Sequence, residues 1–208
     1  MKNIPRKTVE RALLYIRTLK RLIKAKRSHV SSKELAQITG LTDVQIRKDI
    51  SSFGKVGTPR IGYKTVGLKN ILEDFILQRN TVHVVLFGVG NLGSAILRYP
   101  EFQKDRIKIV AAFDKDEAKI GKKINGIPVF AIADAPGIIK KRRAVIGVIA
   151  VPREAAQDIA DTLATSGLKG IINFAPTSIN VPAGIPVRDI DFTIEFLSLY
   201  CGILRNHH

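Results

Sequence analysis

Residues 82–114 constrain the fold more than any other stretch of the sequence. Val82-His83-Val84-Val85-Leu86-Phe87 is a continuous apolar run of buried-strand length, and it leads directly into Gly88-Val89-Gly90-Asn91-Leu92-Gly93-Ser94-Ala95. Ala95, Ile96 and Leu97 continue as a helix, and a second apolar run over 107–113 ends at Asp114, 21 residues after Gly93. A glycine triplet between strand and helix, answered by an acid at the end of the next strand, is the dinucleotide fingerprint of a parallel α/β sheet. Gly88 permits the tight turn, Gly90 lets backbone amides approach a pyrophosphate, and Gly93 packs helix against sheet. The helix start favours the anion. Asp114 is expected to accept from ribose hydroxyls and repel a 2′-phosphate, favouring NAD(H) over NADP(H), with Lys115 blunting that preference. A ligand-free glycine turn is the bland alternative.

Strand runs at 128–130, 144–150 and 170–174, with a helix over 153–166, extend the alternation and predict a parallel sheet with ligands at its carboxyl ends. Val151-Pro152 and Asn173-Phe174-Ala175-Pro176 follow two of those ends and are expected to wall the nicotinamide. An apolar wall disfavours the cationic oxidised ring and accommodates the neutral reduced one, so the pocket is expected to prefer NADH. Alternatively each proline merely closes a strand. His83 is the only histidine in residues 81–206 and starts a strand. That leaves a dehydrogenase, the rival reading, without an evident base.

The first eighty residues carry 18 Lys/Arg against 6 Asp/Glu, a net of +12, while residues 81–208 carry a net of +4. A basic segment fits a polyanion partner; a solvated surface is the alternative. Val9, Leu13, Ile16 and Leu19 mark a first helical stripe, ended by Ser28. Ser31-Ser32-Lys33-Glu34 is a capping box for a helix with Leu35, Ala36 and Ile38 that stops at Gly40. Thr42-Asp43-Val44-Gln45 reads as a second box, opening a helix with Val44, Ile46 and Ile50 facing inward. The pair predicts a helix-turn-helix whose second helix offers Gln45, Arg47, Lys48, Asp49, Ser51 and Ser52 to a major groove. Arg11, Ser31, Ser32, Lys33, Lys55, Arg60 and Tyr63 complete the expected DNA-binding set. Glycine-punctuated residues 54–63 predict a hairpin wing tipped by Pro59-Arg60. Residues 67–78 predict an amphipathic linker or dimer helix, with a domain boundary between 79 and 80.

Residues 192–204 form a helix apolar around most of its circumference, which must dock on its own domain or be exchanged with a second subunit. Cys201 lies on it, where packing is expected rather than chemistry. A lone cysteine favours a reducing compartment. With no apolar run long enough to span a bilayer and no leader pattern at Met1-Lys2-Asn3, the cytoplasm is the default. His207-His208 suggests no metal site.

In their order along the chain, these segments resemble Rex, the redox-sensing repressor family of bacteria. The carrying motifs are Ser31-Ser32-x-Glu34-Leu35, Gln45-x-Arg47-Lys48-Asp49-Ile50-Ser51, Phe53-Gly54-x-x-Gly57 with Gly62-Tyr63, and the Gly88–Ala95 loop. Phe113-Asp114-x-Asp116, Lys119-Ile120-Gly121, Val151-Pro152-Arg153-Glu154-Ala155-Ala156 and Gly170-Ile171-x-Asn173-Phe174-Ala175-Pro176 follow. The resemblance implies a winged helix-turn-helix domain (1–79), a Rossmann NAD(H) domain (80–190) and a swapped C-terminal dimer helix (191–208). It implies a homodimer on pseudo-palindromic double-stranded operator DNA, released by NADH, with no metal and no membrane. By position it makes Tyr99 a nicotinamide contact, and Tyr99, Asp191 and Arg17 the groups coupling cofactor state to the head. The chain departs from the family pattern at Ser52, where Tyr is common, and at Pro59-Arg60, where basic-Gly is common.

Overall fold

The computed structural model describes residues 4–54, 56–58, 61–77, 80–100 and 106–205. Lys55, Pro59, Arg60, Gln78, His207 and His208 lie outside the described residues, and so do Met1, Lys2 and Asn3. The chain divides into two compact units, 1–80 and 81–208.

The first unit contains α1 (Arg6–Lys24), β1 (His29–Val30), α2 (Ser32–Thr39), α3 (Asp43–Ser52), β2 (Tyr63–Lys64) and α4 (Thr65–Leu77). The capping box at α2 forms as expected: Ser31 Oγ accepts from Glu34 N at 3.1 Å and Glu34 Oε2 accepts from Ser31 N at 3.0 Å. The second box forms only in half. Thr42 caps Gln45 N, but the Gln45 side chain donates to Asp49 instead of reaching back. The core gathers Ala12, Tyr15 and Leu19 of α1, Leu35 of α2, Ile46 and Ile50 of α3, and Leu68 and Leu72 of α4.

Three features are refined here. Leu13, Ile38 and Val44 are exposed; on α1 the buried positions are 8, 12, 15, 16, 18 and 19, so Ile16 and Leu19 of the expected stripe face the core while Leu13 is turned out. Helix α4, expected as a linker or a dimer contact, belongs to the core of the first unit. It packs on α1, and Phe75 meets Phe53 edge-on at 4.9 Å. Among the described residues of the expected wing, Thr58 and Gly62 form a bridge, with β1 and β2 pairing antiparallel beside it.

The second unit contains β3 (Val82–Phe87), α5 (Asn91–Arg98), β4 (Ile107–Asp114), β5 (Lys123–Ile124), β6 (Ile127–Ala131), α6 (Ala135–Arg142), β7 (Ile146–Ile149), α7 (Arg153–Thr165), β8 (Gly170–Asn173), β9 (Val187–Asp189) and α8 (Phe192–Arg205). The sheet order is β5-β6-β4-β3-β7-β8-β9, parallel throughout except for β5. Counting only the parallel strands gives 3-2-1-4-5-6, the doubly wound order with its switch point between β3 and β7. Alternate β3 residues feed two cores. Val85 and Phe87 join α6 and α7, while Val84 and Leu86 join α5 on the other face. Phe87 stacks on Phe113 at 4.6 Å, tying β3 to β4 just below the glycine loop.

Helix α8 has no buried residue. Phe196 is 70% exposed, and Leu199 and Cys201 are exposed too. In the single chain this helix is not buried against its own unit, and Cys201 is exposed.

Candidate dinucleotide site and nucleic-acid interface

The carboxyl ends of β3, β4, β7 and β8 meet at the glycine loop. Ala150 N donates to Phe87 O, Gly88 N to Phe113 O, and Phe174 N to Ile149 O. Gly88 sits at φ +90°, where a side chain is strained, and a Cβ there would strike the Ala150 carbonyl and Val151. A Cβ on Gly93 would strike the Gly88 carbonyl. Gly90 differs: a Cβ would meet nothing within 4 Å. As N-cap of α5 it offers no side chain, so no side chain caps the first amides of this helix. Tight glycines behind and an open, uncapped helix start in front fit a pyrophosphate.

Asp114 is buried behind this loop. Its Oδ2 accepts from Val89 N at 2.7 Å and Lys119 Nζ at 3.3 Å, and its Oδ1 accepts from Asp116 N at 2.9 Å. Burial pushes its carboxyl up, but the Asp116 and Val89 amides and Lys119 outweigh this and hold it below the ordinary value. The acid therefore braces the loop. Lys119, which also pairs with Asp116 at 3.2 Å, belongs to this arrangement and was absent from the expected site set. Its spacing from Asp114 across a turn carries no periodic signal.

Asn173 is fully buried. Its Nδ2 donates to Thr177 O and Asp189 Oδ1, and its Oδ1 accepts from Ala175 N. Its amide thus braces the turn that carries Phe174 to Thr177. Phe174 lies 6.4 Å from Phe192. Val151 is half-buried, while Pro152, Lys115, Leu92 and Pro176 are exposed near the strand ends, and Ser94, Ala95 and Ile96 follow on α5. Tyr99 is the C-cap of α5 and is 53% exposed. Asp191 caps α8 through Thr193 N at 2.8 Å. His83 Nδ1 lies 2.8 Å from Arg142 O at the amino edge of the sheet, the edge opposite the loop.

In the first unit, Ser31, Ser32, Lys33, Arg47 and Tyr63 come together around an open cleft of about 410 Å³ with Val56, Gly57, Thr58 and Gly62. Lys33, Arg47, Lys48 and Ser51 are exposed, and Arg47 pairs with Asp43 at 2.7 Å. Tyr63 is largely buried, so it shapes the cleft more than it projects from it. Arg17 is exposed on α1.

Three residues expected to reach a groove are bonded to one another inside the head. Asp49 is 2% exposed and is gripped by Arg11 from Nε (2.6 Å) and Nη2 (2.8 Å), by Tyr15 Oη (2.7 Å) and by Gln45 Nε2 (2.8 Å). Arg11 and Gln45 thus point inward at this carboxylate. Desolvation opposes its charge, but these donors prevail and keep its proton affinity low, while burial and Asp49 push the Tyr15 phenol up. Spacing alone hid this, since 45 and 49 sit one turn apart and their polarity was read as facing the groove.

Known proteins show the same two parts. A model described as CoA binding domain matches residues 79–177, and one described as putative DNA-binding protein N-terminus matches residues 3–51. The redox-sensing transcriptional repressor Rex of Thermosipho africanus is 40% identical over 205 residues, covering 99% of this chain and 98% of that protein. Rex of Carboxydothermus hydrogenoformans is 40% identical over 204 residues, 98% of each. RSP, a Rex-family repressor, is similar in its complex with beta-NAD+ and operator DNA, with TM-score 0.87 and 28% identity over 100% of this chain and 95% of that one. Its complex with beta-NADH gives 0.85 at 28% identity, over 100% and 97%. The chain belongs to the Rex family of redox-sensing transcriptional repressors.

Proposed function

We propose that this protein represses transcription from the cytoplasm as a homodimer that binds operator DNA when NADH is scarce and releases it when NADH occupies the second unit. The observation that carries this reading is the pairing, in one chain, of an open uncapped helix start at Gly90 with a basic helix-turn-helix. The first fits a dinucleotide phosphate; the second exposes Arg47 and Lys48 on one helix. RSP supports it, having been crystallised with beta-NADH and with beta-NAD+ plus operator DNA.

Residues 88–93 and the start of α5 hold the pyrophosphate, Asp114 and Lys115 face the adenosine ribose, and Val151, Pro152, Phe174 and Pro176 exclude water from the nicotinamide end. In that apolar surround the neutral reduced ring is favoured over the cationic one. Arg17, Tyr99 and Asp191 couple the cofactor state to the head. Helix α8 is exchanged between subunits, which covers its apolar circumference. Arg47, Lys48, Lys33 and Ser51 contact the duplex, with Lys55 and Arg60 on the wing.

The relatives bear the names of repressors rather than enzymes, and His83 stands at the wrong edge to serve a hydride-transfer reaction. No helix among the described residues is long and apolar enough to cross a membrane. Replacing Arg17 or Asp191 by Ala tests the coupling. NADH should bind each variant within a few-fold of wild type yet fail to release DNA, as fluorescence titration and gel shift would report. Normal release by both variants would contradict the assignment.

A further inference from the structure

Positions 44, 47, 48 and 51 are three, four and seven residues apart, so they share one face of α3. Val44, Arg47, Lys48 and Ser51 are all exposed, while Ile46, Asp49 and Ile50 are buried on the other side. Val44 is 63% exposed in the first turn of the helix. Gln45, the neighbouring polar group, is not available in the same way. Its Nε2 donates to Asp49 Oδ1, and Asp49 is itself fixed by Arg11 and Tyr15. An ionised carboxylate only accepts, so the amide is held with its donor turned into the head. The exposed face is therefore cationic and polar, with one apolar group at its N-terminal end.

When such a helix enters a major groove, its N-terminal residues meet the base edges. The apolar feature displayed there is the C5-methyl of thymine. Resting on the reading that α3 enters operator DNA, we propose that Val44 is a specificity-determining residue that packs against a thymine methyl in each half-site. Asp49 positions Gln45 so that this face is left to Val44, Arg47 and Lys48. A buried protein contact is the other use for an exposed valine, but two cations on the same face suit a polyanion instead.

The full-length protein would first select duplexes from a random library. Each thymine of one selected half-site is then replaced singly by uracil, which removes the methyl and keeps the pairing. One position is expected at which uracil weakens wild-type binding about three- to five-fold, the worth of one buried methyl. V44A should bind the thymine and uracil forms equally and match wild type on the uracil form. V44T, which keeps one methyl and the β-branch, should retain part of the thymine preference. Absence of any methyl-sensitive position, or an equal loss by V44A on both forms, would overturn the assignment while leaving DNA binding intact. Failure to select any duplex would overturn the DNA-binding reading along with it.

Discussion

Asp49 and Asp114 are both buried carboxylates that accept from three partners, and they serve different ends. Asp49 joins α1 to α3; Asp114 fixes the amide of Val89 in the glycine loop. Asp49→Ala leaves Arg11 and Tyr15 without their acceptor, and breaking a buried pair costs about 3–5 kcal/mol. Urea unfolding followed by far-ultraviolet dichroism should show the first unit destabilised on that scale. Because both carboxyls are held below their ordinary value, their stabilisation is present above the unfolded carboxylate pKa of about 4 and is lost as pH falls from there toward the lowered folded values. Asp49→Asn should flatten that acid loss, measured as unfolding midpoint against pH from 7 to 3. In the second unit, Gly90→Glu places charge in open space. NADH affinity should fall at least about ten-fold, by the repulsion a like charge brings to a phosphate site, with the melting temperature unchanged. The glycines and Asp114 were readable in the sequence because their demands are made by the backbone. The placements of Val44, Asp49 and Gln45 were not, since apolarity turned Val44 inward and polarity turned Asp49 and Gln45 outward, the reverse of what the structure shows.

At the scale of elements, the strong periodic signals located α2, α3, α5, α7 and the central strands. The two-residue β5 and three-residue β9 are too short for periodicity and were missed. Helix α4 was legible as a helix but not in its use, because Leu68 and Leu72 meet α1 from sequence positions about fifty residues away. Helix α8 was legible as apolar, and the single chain leaves that surface uncovered: Phe192, Ile194, Phe196, Leu197, Leu199 and Tyr200 are each more than half exposed. Such a surface on one helix marks an interface. Phe196→Glu should therefore convert a dimer into a monomer in sedimentation velocity, and operator affinity should fall by more than about ten-fold as the second half-site contact is lost. A variant that remains dimeric would remove α8 from the interface.

For the whole molecule, charge and cofactor chemistry divide between the units. The head holds most of the net +16, so operator affinity should fall steeply and linearly in log–log terms as salt rises. The second unit supplies the control, and it can shift the DNA-binding equilibrium only by the difference in NADH affinity between the two states. The most direct test is fluorescence anisotropy of a selected operator duplex with the full-length protein, titrated in parallel with NADH and NAD⁺ at constant salt. NADH should release the duplex at concentrations where NAD⁺ leaves it bound, and added NAD⁺ should raise the NADH needed. Equal release by both nucleotides, or release by neither, would contradict redox sensing by this chain.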